Sequence, residues 1–327
     1  MAILEPINNS DIERLKTAGN DHKKSEILCR MAIVAYCKSE AEIHTALGGG
    51  WSGIVTWLDS DIRNQGYIAW ADGVVVVAFR GTDSRSDWQS NANAFWPDRH
   101  PLGGRRHNGF QQVWNELASE VRSGLTNDVA SGSQLWLTGH SLGGAVATAA
   151  AAEFLVDQPS RITAGFNIVT FGAPRFGNLS FQQASDARVQ DRHWFYANAR
   201  DPVPHLGPAW MGYRHGGVLK YFNKDGRYLA VRKDQVGLQV NDNTPEAEAA
   251  FQWLLVDADI DAQARTQAEL EQLVEEISHG ASEPQLTTTD DGVAIEVPNG
   301  ELQGDSVWTS AAHDSALYWK RIRELAS

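Results

Sequence analysis

The feature that most constrains this chain is a turn. Gly139-His140-Ser141-Leu142-Gly143-Gly144 stands between an apolar run, Gln134-Leu135-Trp136-Leu137-Thr138, and a run of small residues over 145–155. The first run predicts a buried strand and the second a helix. A serine between strand and helix in a G-x-S-x-G frame is the context that raises its Oγ on a sharp turn at the carboxyl edge of a sheet. The two flanking glycines leave room for the unusual backbone angles. The helix amino terminus then points its unpaired N–H groups and positive dipole end at the serine. The alternative is a glycine-rich turn with an ordinary surface serine, and the short motif alone leaves that alternative standing. Partners elsewhere in the chain decide between the two.

The flanking pattern supports the first reading. Val74-Val75-Val76-Val77-Ala78-Phe79 is continuously apolar, as in a strand buried on both faces, and Ala71-Asp72-Gly73 joins it to Tyr67-Ile68-Ala69-Trp70 as a hairpin. Helical spacing follows over 110–125. A strand then falls at 166–171, a helix around 179–187 and a strand at 193–197. Strands alternating with helices predict a largely parallel sheet, and the hairpin makes it mixed. The fold class expected is α/β, an α/β-hydrolase fold with a mixed, mostly parallel central sheet. The 327 residues are read as one domain, with an acidic helical insertion of unknown role over 241–304 ahead of the last helix, 315–325. The first 24 residues are polar and are expected at the surface, with Ile3, Leu4, Ile7, Ile12 and Leu15 able to dock. No internal repeat is present.

A net charge of −13 argues against nucleic acid as a partner and against attachment to an anionic membrane by charge. No apolar run approaches the roughly 18 residues that a transmembrane helix needs. Cys29 and Cys37 fall eight residues apart in a helical pattern over 25–38, about 12 Å along the axis and too far for a disulfide. The first six residues, Met1-Ala2-Ile3-Leu4-Glu5-Pro6, lack the basic and apolar regions of a signal peptide. Together these predict a cytoplasmic location, with a signal-less secretion route as the alternative. No cofactor and no metal is expected: the acidic triplet Asp257, Asp259, Asp261 has Ala262 and Ala268 where a calcium loop needs Gly and Glu.

A serine at such a turn needs a base, an acid that orients the base, and donors for an oxyanion. On this type of sheet the chain order is serine, acid, histidine. Asp201 directly follows the strand 193–197 and is held by Pro202 and Pro204, which predict an extended, rigid loop. For the base, His205, His215, His279 and His313 lie beyond it. His313 opens the last helix after a long loop and stands first, with His215 second. The backbone N–H groups of Leu142 and of Thr82, in the loop after Val74–Phe79, are the expected oxyanion donors.

These residues, with Phe79-Arg80-Gly81-Thr82, His107-Asn108-Gly109-Phe110, Phe171-Gly172-Ala173-Pro174-Arg175-Phe176-Gly177-Asn178, Asp201-Pro202-Val203-Pro204 and Tyr213-Arg214-His215, resemble the class 3 lipases, the family of filamentous-fungal triacylglycerol lipases and their bacterial relatives. The resemblance covers roughly residues 70–220 and the C-terminal tail. It implies a triad of Ser141, Asp201 and His313, an oxyanion hole of Thr82 and Leu142, and a non-catalytic place near the site for His215. It also implies a lid over 84–101, where Trp88, Ala92, Phe95 and Trp96 form an apolar stripe at helical spacing, with Gly103 and Gly104 as a hinge. The implied activity is carboxylester hydrolysis on acylglycerols, with a lipid or small ester as substrate at an oil–water interface. A phospholipase A1, a soluble short-chain esterase and a non-catalytic lipase-fold binding protein are the alternatives. Oligomeric state is not readable. The long segment between Asp201 and His313, and the missing disulfides, depart from the secreted fungal members.

Overall fold

The computed structural model describes residues 2–57, 66–81, 99–127, 129, 131–160, 162, 164–199, 201–207, 212–222, 226–233, 238–240, 286–289, 292–295 and 313–327. In chain order the strands are β1 (Ala2–Leu4), β2 (Gly53–Trp57), β3 (Gly66–Ala71), β4 (Val74–Phe79), β5 (Gln134–His140), β6 (Phe166–Phe171), β7 (Gly177–Asn178), β8 (His193–Asn198), β9 (Tyr213–Arg214), β10 (Val218–Phe222), β11 (Tyr228–Lys233), β12 (Leu238–Val240), β13 (Leu286–Thr289) and β14 (Gly292–Ile295). The α-helices are α1 (Asn9–Leu15), α2 (His22–Val34), α3 (Glu40–Leu47), α4 (Asn108–Asn127), α5 (Leu142–Val156), α6 (Leu179–Val189) and α7 (Ser315–Ala326).

The main sheet has the order β12-β11-β10-β8-β6-β5-β4-β3-β2. Its centre, β4 through β10, is parallel, and antiparallel hairpins extend both edges. The apolar run of β4 is explained by cover on both faces. Val74, Val76 and Ala78 join one core with α2 and α7, while Val75, Val77 and Phe79 join the other with α4 and α5. Burying each such side chain stabilises by about 1.5–3 kcal/mol, so the central strands anchor everything mounted on their carboxyl ends.

Helix α5 owes its small residues to this packing. A Cβ on Gly143 would overlap the Phe79 carbonyl oxygen, and one on Gly144 would lie 2.6 Å from Ala173 Cβ. Ala145, Ala147, Ala149, Ala150, Ala151 and Ala152 are all buried, so the helix approaches the sheet along most of its length.

The amino-terminal residues are less exposed than their polarity suggests. Leu4, Ile7, Ile12 and Leu15 are buried, and Asn8 and Asp11 close a capping box on α1. Strand β1 pairs with β14, and β14 with β13, in a separate small sheet. That sheet takes its second and third strands from the 241–304 segment. The helical pattern expected over 246–279 lies outside the described residues, as does the Asp257–Asp259–Asp261 triplet. The loop after β8 is not extended: Val203–His205 forms a single 3₁₀ turn, with Pro202 at φ −75°, ψ −26°. Proline fixes only φ, and its value suits a helical turn as well as an extended chain.

Candidate active site

Ser141 sits between β5 and α5 at φ 58°, ψ −132°. Among the described residues, Ser141 and Gln190 are the non-glycine positions with positive φ. Such a conformation costs on the order of 1–3 kcal/mol and persists only where the surroundings impose it. Here they do: Ser141 N–H donates to the Phe171 carbonyl at 2.9 Å, and the Gly144 N–H donates to the Ser141 carbonyl at 3.0 Å. A serine at a helix N-cap ordinarily accepts a backbone N–H, yet Ser141 makes no such side-chain bond. Its hydroxyl is therefore not spent on the helix. Leu142 follows as the first helical residue, and its N–H belongs to the unpaired amino end of α5.

The carboxyl ends of three neighbouring strands supply the floor. Ser141 follows β5, Gly172 follows β6 and Asp201 stands three residues past β8. Asp201 is fully buried. Its Oδ1 accepts the Val203 N–H at 2.9 Å and its Oδ2 accepts the Tyr318 hydroxyl at 2.6 Å. His313 Nδ1 lies 2.9 Å from both carboxylate oxygens. A carboxylate only accepts, so Nδ1 carries the proton and Nε2 keeps its lone pair. That Nε2 is buried with no hydrogen-bond partner among the described residues. Gly172, at φ +58°, is required at its position, since a Cβ there would lie 2.8 Å from Asp201 Oδ2 and 3.1 Å from His313 Nδ1.

His140 closes the arrangement from the Ser141 side. Its ring packs on that of His313, centroids 4.5 Å apart. Its Nε2 lies 2.6 Å from the His313 carbonyl oxygen and its Nδ1 2.8 Å from the Tyr36 hydroxyl. Burial, and secondarily the nearby His313, holds the His140 imidazole well below its usual value, so the ring is neutral. Gly81 runs directly over this group. A Cβ on it would overlap the Tyr36 hydroxyl and come within 3.0 Å of Ser141 Cβ.

The structure thus brings Asp201 and His313 into contact and sets His140, the chain neighbour of Ser141, against His313. His215 is turned elsewhere, stacked on Phe195 at 4.3 Å with Nε2 2.7 Å from the Pro204 carbonyl. Thr82, Trp88, Phe95 and Trp96 lie outside the described residues, as does most of the 84–101 segment. Three residues escaped the sequence reading: Tyr318, His140 and Tyr36. Tyr318 carried one usable signal, a phenol on the helix that His313 opens, because a buried Tyr hydroxyl needs a polar partner.

A serine on a positive-φ turn between a parallel strand and a helix, with an Asp–His pair at the same sheet edge, defines an α/β-hydrolase fold with a serine-hydrolase constellation. Residues 76–210 match the family model described as Lipase (class 3). A secreted mono- and diacylglycerol lipase of Fusarium solani is 34% identical over 148 residues, which is 43% of this chain and 41% of that one. The Malassezia globosa protein named secreted mono- and diacylglycerol lipase MDL2 is 28% identical over 198 residues, 57% of this chain and 64% of that one. The chain thus spans from about two-fifths to under two-thirds of these relatives. Among solved structures, a triacylglycerol lipase described as having a serine protease triad at its catalytic centre superposes with a TM-score of 0.56 at 22% identity, covering 74% of this chain and 94% of that one. The Rhizomucor miehei lipase propeptide complex gives 0.55 at 22% identity, with 69% and 76% covered. These likenesses establish the fold.

The expectation of a cytoplasmic location is contradicted by relatives named as secreted lipases. Its argument from cysteine usage fails for a physical reason. Cys29 and Cys37 are buried, with the Cys29 thiol pushed well up and that of Cys37 to about 12, both by desolvation first. Burial alone keeps them unpaired and unreactive, whatever the redox state outside. No helix among the described residues is long and apolar enough to cross a membrane.

Proposed function

We propose that this chain is a serine carboxylester hydrolase acting on acylglycerols outside the cell. The observation that carries the reading is the His313 imidazole: Nδ1 is held by the buried Asp201 carboxylate while Nε2 is unbonded, and the His313 ring packs on His140, the neighbour of a Ser141 at φ 58° whose side chain makes no helix-cap bond. In this reading Ser141 Oγ attacks the ester carbonyl carbon as His313 Nε2 takes its proton. The resulting imidazolium is stabilised by Asp201. The tetrahedral oxyanion is met by the Leu142 N–H at the amino end of α5 and by Thr82 in the loop that continues from Gly81. Collapse releases the alcohol with the proton from His313, leaving an acyl-Ser141. Water, deprotonated by the same nitrogen, then frees the acid and restores the serine.

The substrate class follows the relatives' names, mono- and diacylglycerols in four of them and triacylglycerol in a structural neighbour. Trp88, Phe95 and Trp96 are proposed to line a lid over the acyl groove. Labelling with a fluorophosphonate probe, followed by a panel of mono-, di- and triacylglycerols, phospholipids and dissolved short-chain esters, tests the proposal. Labelling at Ser141 with turnover of acylglycerols is expected. No labelling of folded wild type, or full activity in Ser141→Ala, removes the mechanism; a clear preference for phospholipids or for dissolved esters reassigns the substrate. An unchanged rate as an ester passes its solubility limit removes the lid.

A further inference from the structure

We infer that His140 is a positioning residue: its Nε2–H bond to the His313 carbonyl holds the base against Ser141, and Tyr36 fixes the tautomer that makes this bond. The inference rests on the reading of Ser141, Asp201 and His313 as a triad. The tautomer follows from the partners. A carbonyl oxygen only accepts, so the proton of His140 stands on Nε2, 2.6 Å from His313 O. Nδ1 is then an acceptor, and the Tyr36 hydroxyl donates to it at 2.8 Å.

Geometry shows what the bond does. Asp201 holds the His313 ring only at Nδ1, and a ring held at one edge can pivot about it. Fixing the His313 backbone carbonyl at the same time removes the pivot and sets the direction of Nε2. His140 is the last residue of β5 and the chain neighbour of Ser141, so nucleophile and base hang from one rigid strand. Its ring also packs on the His313 ring at an interplanar angle of 33°. The Tyr36 phenol lies against Gly81, and the Arg80 guanidinium sits 5.5 Å from the centre of its ring. The Tyr36–His140 pair thus underlies the loop that leads into Thr82 as well as the base.

The test contrasts two substitutions that differ in one hydrogen bond. In His140→Asn the amide oxygen stands near the place of Nδ1 and accepts from Tyr36, while the side chain falls short of His313. In His140→Gln the amide reaches the place of Nε2 and donates to the His313 carbonyl. We expect His140→Asn to lower kcat by about 10–100-fold with KM changed less than about twofold, because misplacing a catalytic group by 1 Å costs about that much. His140→Gln is expected to recover most of the loss. Wild-type kcat in folded His140→Asn overturns the inference, and so does an equal loss in both variants, which would mean packing alone. The imidazole ¹⁵N spectrum of the wild type supplies a readout independent of activity: the proton is expected on Nε2 of His140, and a proton on Nδ1 overturns the inference. Absence of probe labelling in the wild type would instead remove the triad reading.

Discussion

Tyr318 donates its hydroxyl to Asp201 Oδ2 at 2.6 Å from the same helix that His313 precedes. Helix α7 therefore delivers both the imidazole and a phenol to one buried carboxylate. The phenol is itself pinned, since it accepts the Asn198 N–H at 3.0 Å. Burial, and then the adjacent Asp201 charge, pushes the Tyr318 hydroxyl well above its usual value, so it stays a donor.

Tyr318→Phe removes the short hydroxyl bond to Oδ2 of a fully buried carboxylate and leaves that oxygen with only the His313 Nδ1–H it shares with Oδ1. A hydrogen bond to a charged group contributes about 1.5–3 kcal/mol, and a loss in that range is expected in urea unfolding. Because the imidazolium would lose part of its orienting partner, kcat is expected to fall by about tenfold while KM holds. An unchanged kcat would show that Val203 N–H and His313 suffice to fix Asp201.

The strain at Ser141 predicts a trade between stability and chemistry. Ser141→Ala and Ser141→Gly both remove the proposed nucleophile, but only Gly adopts φ 58° freely. Ser141→Gly is expected to exceed Ser141→Ala in stability by about 1 kcal/mol. Equal melting temperatures for the two variants would argue that the turn is not strained.

Gly172→Ala forces a methyl group between Asp201 Oδ2 and His313, at a residue with φ +58°. The substitution is expected to cost on the order of 1–3 kcal/mol from the backbone alone. Displacement of the Asp–His pair is expected to lower kcat by about 10²-fold. A folded variant with wild-type turnover would show that the loop after β6 moves freely away from the pair.

Acid should weaken the fold through its buried histidines, His107 and His193 among them. Desolvation lowers His107 and His193 each to about 4 from the ordinary 6.5. These are bases with depressed values in the folded state. Between pH 6.5 and 4 the unfolded chain binds protons that the folded chain refuses, so stability is fully present above pH 6.5 and is lost as pH falls towards 4. Each contributes a slope of about 1.4 kcal/mol per pH unit in that window. Urea midpoints at pH 7.5, 6 and 5 should decline, and His193→Gln should flatten the decline; equal midpoints in the wild type would contradict both assignments.

What the chain order alone determined is the local frame. The strand, turn and helix around Ser141 lie within one short stretch, so apolar runs, glycine spacing and alanine content expose them directly. The same holds for the buried centre of the sheet at β4 and for the hairpin at Asp72-Gly73. The placement of Ser141 and Asp201 is legible too, because each follows a strand at the same sheet edge. Tertiary structure alone decided which groups meet. The Asp201–His313 bond spans 112 residues, Tyr36–His140 spans 104, and β1 finds its partner in β14 near the far end of the chain. Such contacts leave no periodicity in the sequence, since each side chain satisfies its local pattern as well without the other. Tyr318, His140 and Tyr36 escape a reading of the sequence for that reason: their rings are buried in the fold, and only the three-dimensional meeting of their polar atoms brings them to Asp201 and His313.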